Sequence, residues 1–167
     1  MEIVNRVAES GIITLDLTTY LPREGAITEF DLKPFLFREM ILKEKDYRAA
    51  LQTHDWSAYE GRHVALFCSV DAIIPVWAYM LAAVYLEPVA ASVWFGSKDE
   101  MIRHLFHQSI AAIDTQEYLD KRVVIKGCGE IAVPDFAYIA ITEKLRPVVK
   151  SLMYGEPCST VPLYKKR

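Results

Sequence analysis

The sequence contains few of the motifs from which a function can be assigned directly. It has three cysteines among 167 residues, none of them in a CxxC pair, and seven glycines without a glycine-rich phosphate loop. Its 22 acidic and 19 basic residues nearly balance and leave a net charge of -3. A charge this small does not indicate binding to nucleic acid or to acidic lipid. We therefore expect neither nucleic acid nor membrane among the partners.

The first residues also lack the pattern of a secretory signal peptide. Acidic Glu2 precedes a mixed segment that contains Asn5, Arg6 and Glu9. Without an export signal, three cysteines indicate free thiols in a reducing compartment rather than a disulfide framework. We predict a cytoplasmic protein.

Residues 72–91 form the most apolar stretch of the chain. Pro75, Glu87 and Pro88 interrupt it, and the matching stretch further along the chain carries charged side chains at similar depth. A membrane span needs an uninterrupted apolar run of about 20 residues. The pattern therefore predicts a buried helix.

An internal repeat organises the chain over residues 62–96 and 122–155. Cys68 falls on Cys128 at a spacing of sixty residues (68 to 128), and after a one-residue deletion the match continues through Pro75 and Pro134 to Gly96 and Gly155. This agreement exceeds what unrelated stretches share by chance.

Each repeat predicts the order strand, loop, helix, strand. The expected elements are strands at 63–68, 92–95, 122–125 and 151–154, helices at 76–86 and 134–145, and a joining helix at 99–113 with a capping box of Ser97 and Glu100. Upstream we expect a helix at 2–9, strands at 12–17 and 27–32 forming a hairpin, a strand at 35–42 and a helix at 43–54.

Two βαβ units of this kind are typical of a doubly wound fold. We therefore predict an α/β protein with a doubly wound, mostly parallel sheet built from the two repeated βαβ units, preceded by an N-terminal β-hairpin and helix extension. No linker or change in composition divides residues 1–167, so we predict a single domain.

The thiols fall where such folds bind ligands, beyond the carboxyl ends of parallel strands. Cys68 and Cys128 each end the first strand of a repeat, and each precedes an acidic residue, Asp71 or Glu130. Cys158 follows the last predicted parallel strand. If the two repeats form one sheet, all three thiols lie along one edge.

Three hypotheses follow from this placement. Thiolates beside a carboxylate suit zinc or an iron–sulfur species, which makes the chain a metal-associated binding protein. The proposed metal ligands are Cys68, Cys128 and Cys158, and the residues expected to contact a ligand are Ser69, Asp71, Gly129 and Glu130.

The second hypothesis is a cysteine-dependent enzyme or small-anion-binding protein that uses the same crevice. His54 or His63 is then the candidate base, and the anion lies at a helix N-terminus. The third hypothesis is a non-catalytic homodimeric interaction module. In that case the cysteines pack as small hydrophobic residues, which is their usual role at a strand end.

Several segments of the sequence resemble those of an uncharacterised bacterial family, the domain of unknown function 2480. They are ILKEKD at 41–46, HDWS at 54–57, CSVDAIIP at 68–75 and GEPCSTVP at 155–162. The resemblance covers nearly the whole chain and implies no activity and no catalytic residue. It implies an association with iron–sulfur assembly proteins, which are therefore candidate partners.

Overall fold

A computed structural model describes residues 11–127, 129–156 and 158–167. Within these residues the chain forms a mixed α/β fold with mostly parallel strands, which confirms the predicted fold class. The strands are β1 Ile12–Leu15, β2 Ile27–Asp31, β3 His63–Phe67, β4 Ser92–Phe95, β5 Arg122–Ile125, β6 Ser151–Glu156 and β7 Ser159–Lys165. The helices are α1 Glu44–Thr53, α2 Val76–Leu86, α3 Lys98–Ala111 and α4 Asp135–Leu145.

The chain divides into two compact units. The central unit comprises Pro22–His104, and its sheet has the order β2-β3-β4 with all strands parallel. The terminal unit comprises residues up to Leu21 together with Leu105–Arg167, and its sheet has the order β1-β5-β6-β7. There β7 is antiparallel to β6, whereas the other pairs are parallel. The prediction that residues 1–167 form one domain stays a prediction.

The strands therefore lie in two sheets, not in the single sheet that we expected. β3 and β5, which begin the two repeats, belong to different sheets and do not pair. The expected N-terminal hairpin is wrong for the same reason, because β1 pairs with β5 and β2 pairs with β3. Each repeat takes one upstream strand to complete a parallel sheet, a long-range choice that local patterns do not specify. The expected helix at 2–9 lies outside the described residues.

The strand expected at 35–42 is also wrong. Asp31 accepts a hydrogen bond from the backbone N–H of Lys33, and a 3₁₀ turn follows at Lys33–Phe35. Arg38 and Glu39 then adopt positive φ angles of 51° and 57°, which makes a tight turn instead of an extended segment. The apolar residues of this segment led to the prediction of a strand. Its turn-forming residues, rather than its hydrophobicity, determine the backbone conformation.

The predicted helices that fall within the described residues are confirmed, with ends set by local capping. α2 begins directly after Pro75, whose fixed φ suits the start of a helix. At the start of α3, Ser97 donates its N–H to Glu100 Oε2 at 2.7 Å, and the N–H of Glu100 donates to Ser97 Oγ at 3.3 Å. This is the predicted capping box.

The repeat holds in the backbone with one constant spacing. Gly61 donates its N–H to the carbonyl of Val89 at 2.9 Å, and Asp120 donates to Val148 at 2.8 Å, a shift of 59 residues (61 to 120 and 89 to 148). The same shift relates α2 to α4 and β4 to the start of β6. No deletion is needed, so the structural counterpart of Cys68 is position 127, a glycine, and not position 128.

Each unit has its own hydrophobic core between its sheet and its helices. In the central unit, Ala78, Ala82 and Leu86 of α2 pack with β-strand residues and with Tyr47 and Leu51 of α1. In the terminal unit, Ala137, Ile141 and Leu145 of α4 take the equivalent positions. The two cores thus use the same side of equivalent helices.

One buried hydrogen bond ties α1 to α2 and allows a direct stability test. The hydroxyl of Tyr47, fully buried, donates to the carbonyl of Ala78 at 2.7 Å. We expect Tyr47→Phe to lower the free energy of unfolding by about 1 kcal/mol, because the buried hydrogen bond between the two helices is lost. Urea unfolding measures the change. Tyr154→Phe is the control, since its hydroxyl lies 3.4 Å from the carbonyl of Gly127 at an exposed position. An equal loss in both variants contradicts the expectation.

Candidate functional site

The strand ends of the central unit place Ser69 against Asp31. Asp31 accepts hydrogen bonds from the N–H of Ser69 at 3.0 Å, from its hydroxyl at 2.5 Å and from the N–H of Lys33 at 2.9 Å. Burial alone raises the pKa of Asp31, but these hydrogen bonds outweigh it and hold the pKa below its usual range. Ser69, a predicted ligand contact, is thus engaged in holding its own loop, and the predicted Asp71 is exposed.

The structure places two of the three thiols. Cys68 is partly buried against the central core, near Tyr79, and Cys158 is exposed in the turn between β6 and β7. Burial raises the pKa of Tyr79, and negative charge on Cys68 and Asp31 raises it further. Cys128 lies outside the described residues.

The described parts of the chain contain no group of three or more His, Cys, Asp or Glu side chains suited to a metal ion. Cys68 and Cys158 belong to different units. The constant spacing also removes the repeat-matched pairing of Cys68 with Cys128 on which the thiol hypothesis was based. A zinc or iron–sulfur site stays a prediction.

The terminal unit has a polar cavity of about 320 Å³ at its strand ends. Lys126 contacts Asp16 across it with 3.2 Å between Nζ and Oδ2, and the predicted Gly129 lines the same cavity. Hydrogen bonds from Thr18 and from Lys126 lower the pKa of Asp16. Glu130, the remaining predicted contact, is exposed. As in the central unit, the strand-end carboxylate is engaged by its neighbours.

The most unusual surface of the molecule is an apolar stripe on α2. Val76, Met80 and Val84 follow one another at helical spacing and are 73%, 62% and 67% exposed. Ile73, just before the helix, is 95% exposed, and Phe95 at the end of β4 is 67% exposed. Large apolar side chains this exposed, and this close together, are rare on a chain that acts alone.

The stripe borders a groove between α2 and β4, and together they form what we call the α2–β4 face. Two adjoining cavities of about 540 and 660 Å³ make up the groove. The first cavity has no charged residue in its lining, which consists of Leu66, Ile74, Val76, Tyr79, Met80, Ala83, Val93 and Phe95. The second cavity shares Met80, Ala83 and Val93 with the first, and its lining also includes Glu87.

The terminal unit offers an internal comparison for this face. The shift of 59 residues places Asp135, Ile139 and Glu143 of α4 at the positions of Val76, Met80 and Val84. Two of these three α4 residues are charged, as a solvated helix face requires. The fold therefore does not demand an apolar stripe here, and the stripe on α2 needs a separate explanation.

The sequence predicted α2 as a buried helix but missed its exposed face. One side of the helix is buried, through Ala78, Ala82 and Leu86, whereas the opposite side is not. The available signal was a comparison of the two repeats, because two of the three helical positions change from apolar to charged between them.

None of the helices within the described residues has the length and apolar character needed to cross a membrane.

Comparison with family models gives a match over nearly the whole chain. The model of a family described as "Protein of unknown function (DUF2480)" matches residues 1–166, which confirms the resemblance seen in the sequence. Neither the curated proteins nor the solved structures contain a match to this chain.

The pH dependence of stability tests the strand-end network of the central unit. Because the folded state lowers the pKa of Asp31, its ionised form stabilises the fold above the usual aspartate pKa of about 3.9. This contribution is lost as the pH falls through the lowered folded-state pKa.

We therefore expect Asp31→Asn to be less stable than the wild type at pH 7 and the gap to close on acidification. Urea unfolding across this pH range measures it. Asp71→Asn, at an exposed position of the loop that follows β3, is the matched control. A gap independent of pH would show that the charge of Asp31 does not contribute.

Proposed function

The chain belongs to the DUF2480 family, whose description assigns no activity, and we propose that it is a non-catalytic interaction protein whose α2–β4 face binds another polypeptide. The observation that carries the proposal is the exposed stripe of Val76, Met80 and Val84 beside a cavity without a charged lining residue. This proposal develops the third hypothesis, the non-catalytic homodimeric interaction module, by assigning it a binding surface.

Energetics support the proposal. Fully burying a Val, Met or Phe side chain contributes about 1.5–3 kcal/mol. The stripe, together with Ile73 and Phe95, is more than half exposed. Covering these five side chains supplies on the order of 5–10 kcal/mol before the costs of association are subtracted. Because association costs about 4–15 kcal/mol, the stripe supplies a large part of the gross free energy that a stable complex needs, and other contacts of the α2–β4 face must supply the rest.

The strand-end groups support a binding role over catalysis. In the central unit Asp31 is held by Ser69 and Lys33, and in the terminal unit Asp16 is held by Thr18 and Lys126. These contacts fix the loops at the strand ends, where an α/β enzyme would present its reactive groups. The exposed apolar area lies instead along the side of α2 and the edge of its sheet.

Photo-crosslinking from the stripe tests the proposal in cells. The photoreactive residue benzoylphenylalanine replaces Met80 in one variant and Ile139, its counterpart on α4, in a control variant. Ile139 is itself 70% exposed, so the control matches the exposure of the probe. We expect a discrete polypeptide adduct from position 80 and none above background from position 139. Equal adduct formation at the two positions, or none at either, would refute the proposed function.

A further inference from the structure

We infer that the polypeptide on the α2–β4 face is a second copy of this chain, joined by antiparallel pairing of the two β4 strands about a twofold axis at Trp94. The inference rests on the proposed function and names its partner.

The edge of β4 is open in the described residues, whereas the equivalent edge in the terminal unit is covered. β4 ends the order β2-β3-β4, and β6, its counterpart, continues to β7. β7 runs antiparallel to β6 and places Tyr164 opposite Leu152. Tyr164 packs against the terminal core, with the Arg146 guanidinium 4.7 Å from its ring centroid. This fold thus already uses an antiparallel strand with an inward aromatic side chain at this edge.

The repeat transfers one pair of that ladder, Leu152 with Tyr164, to β4. The β6–β7 register shifts just beyond it, between Leu152 and Met153. The shift of 59 residues takes Leu152 to Val93, so an added strand should place an aromatic residue opposite Val93. β4 itself supplies one. When Phe95 of a second copy lies opposite Val93, Trp94 lies opposite Trp94 of the second copy, and the pairing is symmetric about that residue. One strand sequence therefore satisfies both sides, as a twofold interface requires.

The side chains of β4 face the correct directions for this pairing. Val93 and Phe95 line the groove beside α2, and the ring of Phe95 lies 4.9 Å from that of Tyr79. Because side chains alternate along a strand, Trp94 points to the other face, where it stacks on His104 with 3.9 Å between centroids. A twofold axis perpendicular to the sheet keeps both α2 helices on one face. Each Phe95 then covers part of the groove of the other copy.

The absence of charged side chains from β4 and from the first cavity permits self-association through this face. A second copy brings identical charges to the interface, so charged side chains at its centre would repel one another. β4 has none, and the first cavity of the groove has none in its lining. Glu87, at the C-terminal end of α2, lines only the second cavity, which Phe95 does not line.

Closure also favours a second copy over an open series of contacts. An exposed apolar edge strand tends to pair with other chains without limit. Twofold pairing uses the same edge of both copies at once, so that nothing of this edge remains for a third chain.

Sedimentation of the purified full-length chain over a wide concentration range tests the inference. We expect a monomer–dimer equilibrium in which Phe95→Glu raises the dissociation constant about 100-fold or more, because it buries a charge at the centre of the interface. Met80→Glu, at an exposed position of the stripe, should act in the same direction and serves if Phe95→Glu does not fold. Ile139→Glu is the matched control and should leave the constant unchanged.

Amide hydrogen exchange tests the register. Amides of β4 that point to the open edge should exchange more slowly in the dimer than in the monomer. A dimer without such protection overturns the strand pairing. A chain that stays monomeric, or a dimer unaffected by both glutamate variants, overturns the second copy as the partner.

The photo-crosslinking result separates failure of this inference from failure of the proposed function. Suppose that the purified chain is monomeric and that the adduct from position 80 joins a different protein or residues 1–10 of the same chain. Either adduct overturns the inference that the partner is a second copy. The different protein leaves the proposed function standing. The absence of any adduct removes both.

Discussion

Removing apolar surface from water stabilises a folded protein. The apolar surface of α2 is larger than the part that the central unit buries. Ala78, Ala82 and Leu86 on one side of the helix pack into the core. Met80 and its neighbours on the opposite side remain exposed. A helix that is apolar on all sides is typical of an element that is covered on all sides. The interaction proposal supplies the cover that the described residues of the chain do not.

The repeat turns this observation into a comparison. α2 and α4 occupy equivalent places in equivalent βαβ units, yet the outer positions of α4 include Asp135 and Glu143. The terminal unit also has β7 on the edge that β4 leaves open. One copy of the unit is therefore completed within the chain, and the other presents the same edge with apolar surface around it.

The sequence predicted local elements well because local residues determine them. Pro75 marks the start of α2, and the Ser97 capping box marks the start of α3. It did not predict the two sheets, since strand partners far apart in the chain depend on packing. The predicted match of Cys68 with Cys128 requires a deletion that the backbone does not contain. Which side of α2 lacks a neighbour is likewise a tertiary property.

Methionine oxidation provides the most direct measurement of whether the α2–β4 face is covered. Met80 and Met40, the latter in the tight turn before α1, are 62% and 67% exposed in the isolated chain, so each serves as a reference for the other. Hydroxyl-radical footprinting of the chain, at the protein concentration found in cells, should oxidise Met40 readily and Met80 much more slowly. Equal oxidation of the two side chains would mean that the face stays in water, which contradicts this account of the protein.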